Sequence, residues 1–444
     1  MFKKSTVQKL ILAVMGAGLI SVPAFAGPSA DSSYIFNTLL FLIGGFLVMW
    51  MAAGFAMLEA GLVRSKNVAD ICVKNVALYG VACIMWMLMG YNLMYQDVSG
   101  LFGTFFQLWS PVDAGLAEGA PAYAAGSDFF FQMVFVATAA SIVSGTVAER
   151  IKLFPFLIFT VVLSGVIYPI QGSWEWGGGW LNSAGFADAF GAEFSDFAGS
   201  TLVHSTGGWA ALMGAIILGP RLGRYIDGKV RPMPGSSMPL ATLGTFILWV
   251  GWFGFNGASQ LALGTISDAV SVSNIFVNTN MAAAGGAVAA LLVTKAVYGK
   301  VDLSMVLNGT LAGLVSITAG PLTPEPWSAT LIGGIGGVLV VFAVPLLDKY
   351  KIDDVVGAIS VHLVCGIWGT LAVAFTDPAT TFLAQFIGII AIGAFVVVTS
   401  SATWLALKYT MGIRLDAEHE ELGSDLSELG MEAYPEFGTG SQKF

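Results

Sequence analysis

The sequence predicts an all-α polytopic membrane protein with eleven transmembrane helices, built as a 5+5 inverted-topology repeat with one extra helix. Three observations predict this fold class: an apolar composition, eleven long apolar segments, and a polar motif that occurs twice. Of the 444 residues, 56% are hydrophobic and 11% are charged, and the mean hydropathy is +0.78. These values lie outside the range of soluble globular proteins and within that of membrane proteins.

The first 26 residues have the pattern of a secretory signal peptide. Three lysines within the first nine residues precede the short apolar stretch 10–22, and Ala24 to Ala26 form an A-x-A cleavage site. Cleavage there would leave Gly27 as the mature amino terminus, outside the cytoplasm. An uncleaved first helix is the alternative.

Eleven apolar segments follow, each long enough to cross a bilayer core about 30 Å thick. Their approximate limits are 34–58, 73–95, 129–148, 153–172, 200–219, 238–257, 275–296, 302–321, 328–347, 355–375 and 382–408. We therefore expect one membrane domain over residues 27–410 and an acidic C-terminal tail over residues 411–444.

Lysine and arginine are confined to alternate connections. The odd-numbered connections and the tail contain them, whereas the even-numbered connections carry acidic residues instead. The positive-inside rule then predicts that the odd connections and the C-terminus are cytoplasmic. An odd number of helices puts the mature N-terminus outside, as a signal peptide requires. We therefore expect a multi-pass protein of the inner membrane with its N-terminus outside and its C-terminus in the cytoplasm.

The repeated motif begins at Asp196 and again at Asp354. Residues 196–208 read DFAGSTLVHSTGG and residues 354–366 read DVVGAISVHLVCG, each with Gly three, Val-His seven and eight, and Gly twelve residues after Asp. The predicted topology threads the two copies in opposite directions, as in inverted repeats whose sites lie near the bilayer midplane. A chance match is the alternative.

Two of the three histidines, His204 and His362, occupy equivalent positions in this motif. Each lies about 12 Å along a helix from its aspartate, a depth at which a titratable side chain is functional by default. Two imidazoles can hydrogen-bond to each other and favour at most one shared proton. A structural histidine pair is the alternative, while a metal site would lack a third ligand at suitable spacing.

Aromatic residues cluster at predicted outer helix ends. Phe131 and Phe135 lie on one face of the third helix, Trp176 follows the fourth helix, and Ser259 follows the sixth. Aromatic faces can hold a cation with about 0.5–2 kcal/mol each, and a hydroxyl can accept a hydrogen bond from it. An interfacial aromatic belt is the alternative.

Together these stretches resemble the ammonium transporter family (Amt/Mep/Rh), bacterial Amt type. The matching segments are GFAMLEAGLVRSKN (54–67), FFFQMVFVATAASIVSGTVAER (129–150), WGGGWL (176–181), the first motif copy (196–208), GWFGFNGAS (251–259) and DDVVGAISVHLVCGIWGT (353–370). The resemblance implies a homotrimer with one pore per subunit and no cofactor. We expect no enzyme activity, since nucleophile motifs such as G-x-S-x-G are missing from the sequence.

The resemblance also implies a role for each candidate residue. It puts Phe131, Phe135, Trp176 and Ser259 at an outer ammonium site, stacks Phe135 on Phe255 as a pore gate, and makes His204 and His362 the twin histidines of the pore. For Asp196 we expect a structural and electrostatic role as a helix N-cap, with Asp354 as its cytoplasmic counterpart.

The expected function is therefore transport of ammonium or ammonia, with methylammonium as an analogue, by cation recruitment, deprotonation and conduction past the histidines. Alternatives are an ammonium sensor signalling through the tail and a neutral-gas channel of the Rh type. The tail resembles one that contacts PII-type signal proteins, although Leu429 stands where a histidine is expected. The sequence has no basic patch, so we do not expect a nucleic-acid partner.

Glu59 departs from the expected pattern at the inner end of the first helix. We interpret it as an exposed helix-end charge near Arg64. The alternative is that it lines the inner vestibule.

Overall fold

The computed structural model describes residues 29–437, and this part of the chain is mainly helical. Ten of its helices are long and apolar enough to cross a membrane: α1 (Ala30–Leu62), α2 (Ser65–Tyr95), α3 (Ala125–Val147), α4 (Leu153–Ser173), α5 (Ser200–Leu218), α6 (Met238–Gln260), α7 (Ile266–Tyr298), α9 (Pro326–Lys349), α10 (Ile359–Thr376) and α11 (Phe382–Thr410). Between α7 and α9 lies α8 (Leu303–Ile317), which is apolar but only 15 residues long. The predicted all-α polytopic fold is confirmed, with ten helices of spanning length and a shorter one in the remaining predicted segment.

Short elements fill some of the connections. These are a helix at Ala184–Phe190, a two-stranded antiparallel sheet of β1 (Tyr225–Ile226) and β2 (Lys229–Val230), a tail helix at Ala417–Leu422 and a π-helical turn at Asp425–Leu429. The predicted signal peptide, residues 1–26, lies outside the described residues.

Polar side chains fix where several helices begin. At the start of α7, Thr265 and Asp268 form a reciprocal capping box. Ser237 caps α6, Asp302 caps α8 and Thr381 caps α11, each accepting a hydrogen bond from a backbone N–H of the first turn. Such caps satisfy N–H groups that have no partner within the helix.

The protein centre is formed by α3, α5 and α10. In α3, 89% of the apolar stretch is buried, against 28% in α7. Helices on the periphery expose large apolar side chains, such as Phe46 and Trp50 on α1. Such a surface suits hydrocarbon. Both motif histidines lie on central helices, and both motif aspartates immediately precede them.

Candidate functional site

The two motif histidines contact each other at the centre. His204 lies in a π-helical turn at the start of α5 (Ser200–Ser205), and His362 lies in an equivalent turn of α10 (Ile359–Val364). Their Nδ1 atoms are 3.2 Å apart, and the side chains are 0% and 3% exposed. At this distance one Nδ1 donates and the other accepts, so the pair shares one proton between the two nitrogens.

The first aspartate of the motif caps α5. Asp196 accepts four backbone N–H groups: Oδ1 from Gly199 and Ser200, and Oδ2 from Thr201 and Leu202, over 2.8–3.1 Å. Both carboxylate oxygens are therefore engaged within the protein, and Asp196 is fully buried. This geometry holds a negative charge next to Trp176, whose indole N–H donates to the Asp196 carbonyl, without exposing a carboxylate oxygen.

Burial and hydrogen bonding act in opposite directions on this carboxyl group. Burial raises the pKa of Asp196 to about 6, while the four backbone N–H groups favour the anion. Because both carboxylate oxygens accept backbone N–H groups, the geometry fits the ionised form. The backbone N–H of Asp196 in turn donates to Glu175 Oε1 at 2.7 Å, and burial raises the pKa of Glu175 well above its ordinary value.

The second aspartate repeats the arrangement at the other end of α3. Asp354 accepts from Thr146 Oγ1 at 2.9 Å and from the backbone N–H groups of Ala358 and Ile359 at 3.0 and 2.8 Å. Thr146 is near the C-terminal end of α3, whereas Asp196 bonds to Trp176 beside the N-terminal half of that helix. The two copies thus start from opposite sides, as an inverted repeat requires.

The glycines of the motif serve two physical needs. Gly199 and Gly357 follow the aspartates with φ of +106° and +83°, a left-handed conformation that other residues adopt at a cost. Gly208 allows close packing, because a Cβ there would lie 2.8 Å from the backbone nitrogen of Leu363. Gly366 does the same in the other copy, with a Cβ position 2.4 Å from a carbonyl oxygen of α5.

The four residues predicted for an outer site line one cavity of about 310 Å³. They are Phe131, Phe135, Trp176 and Ser259. The Ser259 hydroxyl donates to the Phe255 carbonyl at 2.8 Å, which leaves its oxygen lone pairs available to accept. The Trp176 indole N–H donates to the Asp196 carbonyl at 2.9 Å and fixes the ring at the cavity wall.

Sequence reasoning missed other polar residues of this cavity. Tyr91, Tyr95, Tyr123 and Asp128 also line it, and the Tyr91 hydroxyl donates to Asp128 Oδ2 at 2.5 Å. Asp128 lies three residues before Phe131 and hence on the same helix face. That spacing could have drawn attention to it.

Aromatic rings close the end of this cavity that faces the histidine pair. Phe135 and Phe255 stack with ring centroids 4.0 Å apart and planes at 26°, and both are buried. His204 lies next, with its centroid 5.2 Å from Phe255 and 5.0 Å from Trp252. The predicted gate pair is therefore in direct contact, and Trp252 is a neighbour that the sequence did not predict.

The interpretation of Glu59 as an exposed helix-end charge is wrong. Its side chain is 1% exposed, and α1 continues past it to Leu62. Arg64 instead pairs with Glu149 at 2.5 Å. Glu59 Oε2 accepts hydrogen bonds from Ser144 at 2.8 Å and Asn75 at 3.1 Å, so it joins α1, α2 and α3.

The tail packs against the ends of the helices near the second motif copy. Asp425 accepts the Asp70 backbone N–H at 2.8 Å, and Glu428 accepts that of Leu153 at 2.9 Å. Burial raises the pKa of Asp425. The described part of the acidic tail is thus bonded to the helix ends rather than extended into solvent.

The comparisons with known proteins agree over most of the chain. The Ammonium Transporter Family profile matches residues 39–434. Ammonium transporter Amt2 of Archaeoglobus fulgidus is 43% identical over 422 residues, covering 89% of this chain and 87% of that protein. The solved structure of a Sensor Amt Protein has a TM-score of 0.82 and 35% identity, covering 89% of this chain and 99% of its own.

A eukaryotic structure extends the likeness. Mep2 of Candida albicans has a TM-score of 0.76 and 27% identity, covering 92% of both chains. Together with the spanning helices, these relatives, among them a named ammonium transporter, indicate a multi-pass membrane protein. The chain belongs to the ammonium transporter family.

Proposed function

We propose that this protein carries ammonium across the cytoplasmic membrane by binding the cation in the outer cavity, removing its proton, and conducting ammonia past His204 and His362. The observation that carries the proposal is the 3.2 Å contact between the two buried Nδ1 atoms. It puts a shared hydrogen-bonding pair directly behind the stacked rings of Phe135 and Phe255.

The outer cavity has the chemistry to recruit a cation. The faces of Phe131 and Trp176 attract positive charge, and the Ser259 oxygen accepts an N–H hydrogen bond. The buried carboxylate of Asp196 adds a negative potential while its own oxygens stay engaged with backbone N–H groups. Asp196 thus acts electrostatically and by holding Trp176.

The closed aromatic gate explains how ammonium is separated from potassium. Both are monovalent cations of similar size, so a sieve cannot tell them apart. A dry, narrow passage strongly disfavours any ion, whereas ammonium can lose its proton and continue as neutral ammonia. Potassium has no neutral form, and the histidine pair then offers hydrogen bonds to the ammonia.

The test is the current or methylammonium uptake of proteoliposomes under an ammonium gradient. His204→Ala should abolish transport or alter its selectivity. The matched control is His419→Ala, since this third histidine is exposed and pairs with Asp416 in the tail, and it should behave as the wild type. An unchanged, potassium-excluding current in His204→Ala would count against the proposal.

Assembly and orientation complete the proposal. We infer a homotrimer with one pore per subunit, an outer N-terminus after signal cleavage and a cytoplasmic tail. The tail is also the proposed docking site of a PII-type signal protein. Its hydrogen bonds to the ends of α2 and α4 support a route by which such a partner would act on the helices.

A sensor is the second candidate, favoured by the likeness to the Sensor Amt Protein. In that case the tail contacts would report occupancy of the outer cavity to another protein. Measurable ammonium binding without methylammonium uptake by the reconstituted protein would favour the sensor over the transporter.

A further inference from the structure

A narrow cavity lies on the inner side of the histidine pair. His362, Phe55, Glu59, Ser141 and Gly145 are among the residues that line it. Its volume of about 10 Å³ is enough for roughly one water-sized molecule. Water and ammonia are of this size, so the cavity can connect His362 to Glu59 through one small molecule.

Glu59 lines this cavity, and only one of its two carboxylate oxygens accepts hydrogen bonds among the described residues. It follows Phe55 by four residues, on the same face of α1, and Phe55 lies 6.2 Å from the His362 ring centroid. Ser144 and Asn75 both donate to Oε2, while Oε1 is buried and has no hydrogen-bond partner among residues 29–437. A buried, unpartnered carboxylate oxygen calls for an explanation beyond packing.

The charged groups around Glu59 leave it without a direct ion pair. Lys74, one residue before Asn75 on α2, is the charged group that acts on it, but Lys74 pairs with Asp70 at 3.6 Å. The carboxylate of Glu149, at the end of α3, pairs with arginine side chains. Asp354 hydrogen-bonds to Thr146 and to backbone N–H groups of α10. His362 is the titratable group that shares the cavity with Glu59.

We propose that Glu59 is the proton acceptor on the inner side of the histidine pair. The inference rests on the proposed transport function. Ammonium in the outer cavity loses a proton, which passes through His204 and His362 and across the small molecule in the cavity to Glu59 Oε1. Glu59 then protonates ammonia as it passes this cavity on its way out of the pore.

The step balances in atoms and charge. One N–H bond breaks outside and one forms inside, while an O–H bond forms and breaks again on Glu59. The carboxylate is regenerated in each cycle, and no oxidant or further reactant is needed. Each ammonium would thus carry one positive charge across the membrane, with the proton moving through the histidine side chains and the ammonia moving past them.

Glu59→Gln separates this role from a structural one. The amide oxygen of glutamine can still accept from Ser144 and Asn75, but the side chain cannot carry a proton at neutral pH. Glu59→Asp keeps an acid at the same position. Glu325→Gln removes a carboxyl from an exposed connection and serves as the control.

Two readouts on proteoliposomes of the full chain test the proposal: the current after an ammonium jump, and the internal pH measured with a dye, which rises only when ammonia enters without its proton. In Glu59→Gln we expect the current to fall at least about tenfold, as for loss of a general acid–base group. The internal pH should rise more than in the wild type, because ammonia then enters without its proton, and the melting temperature should be preserved. Glu59→Asp should retain more current than Glu59→Gln, and Glu325→Gln should match the wild type.

Three results would overturn the assignment of Glu59 while leaving the transport function intact. They are a wild-type current in Glu59→Gln, equal loss of current in the Gln and Asp variants, or ammonia entry by the wild type with no current at all. Loss of ammonia entry together with current in a Glu59→Gln protein that melts normally would assign the residue to the pore wall instead. A wild-type protein that shows neither signal would overturn the transport function itself.

Discussion

Replacing Asp196 by asparagine should destabilise the protein without changing the size of the side chain. In the wild type, each carboxylate oxygen accepts two backbone N–H groups at the start of α5. In Asp196→Asn one oxygen becomes an NH₂ donor, so two of the four N–H groups lose their acceptor. An unsatisfied buried donor costs about 1–3 kcal/mol, which gives a loss of about 2–6 kcal/mol for the pair.

The measurement is the melting temperature of the purified protein in detergent, followed by tryptophan fluorescence. Asp377→Asn is the control, because Asp377 accepts a single backbone N–H in an exposed connection. Asp196→Asn should melt several degrees below the wild type and Asp377→Asn close to it. If Asp196→Asn melts with the wild type, the four hydrogen bonds do not hold the start of α5 as described.

Three further substitutions test other parts of the structure. Ser259→Ala removes one hydrogen-bond acceptor from the outer cavity, and since a bond to a charged ligand contributes about 1.5–3 kcal/mol, half-saturation in methylammonium uptake should need at least about tenfold more substrate. Gly357→Ala forces a Cβ into the left-handed region at φ +83° and should destabilise by about 1–2 kcal/mol, whereas Gly80→Ala, with open space around its Cβ position, should not lower the melting temperature. Asp353 is buried, but its hydrogen bonds with Arg221 outweigh the effect of burial and hold its pKa below the ordinary value. The stability that this pair provides is therefore fully present above about pH 4, and it is lost as the pH falls further. Asp353→Asn should lower the melting temperature by a constant amount above that pH and by less below it. A difference in melting temperature between wild type and variant that grew in acid would contradict the expected pH dependence.

Much of the central site could be predicted because its motif occurs twice in the sequence. Polar residues are rare in apolar segments, so a shared Asp, Gly and His pattern stands out at both Asp196 and Asp354. The alternation of basic and acidic connections predicted that the two copies cross the membrane in opposite directions. What the pattern could not give is the hydrogen bonding, such as the Nδ1 contact between His204 and His362, because that depends on how the two helices meet.

Residues outside the motif were harder to predict for the same reason. Glu59 looked exposed because it precedes Arg64 near a helix end, but the partner of Arg64 is Glu149, 85 residues later in the chain. Trp252 reaches the side of His204 because its indole N–H donates to Thr318 on another element. Neither spacing nor composition encodes which helix faces come together.

The reciprocal glycine contacts have a consequence for the transport cycle. At Gly208 and Gly366, each four residues after a motif histidine, the backbones of the two inverted halves touch without intervening side chains. In a rocker-switch transporter, the halves would have to separate and re-form such contacts in every turnover. Here that motion would break tight main-chain packing at the pivot, so we expect a lumen of fixed shape in which turnover is governed by proton exchange and diffusion rather than by alternating access.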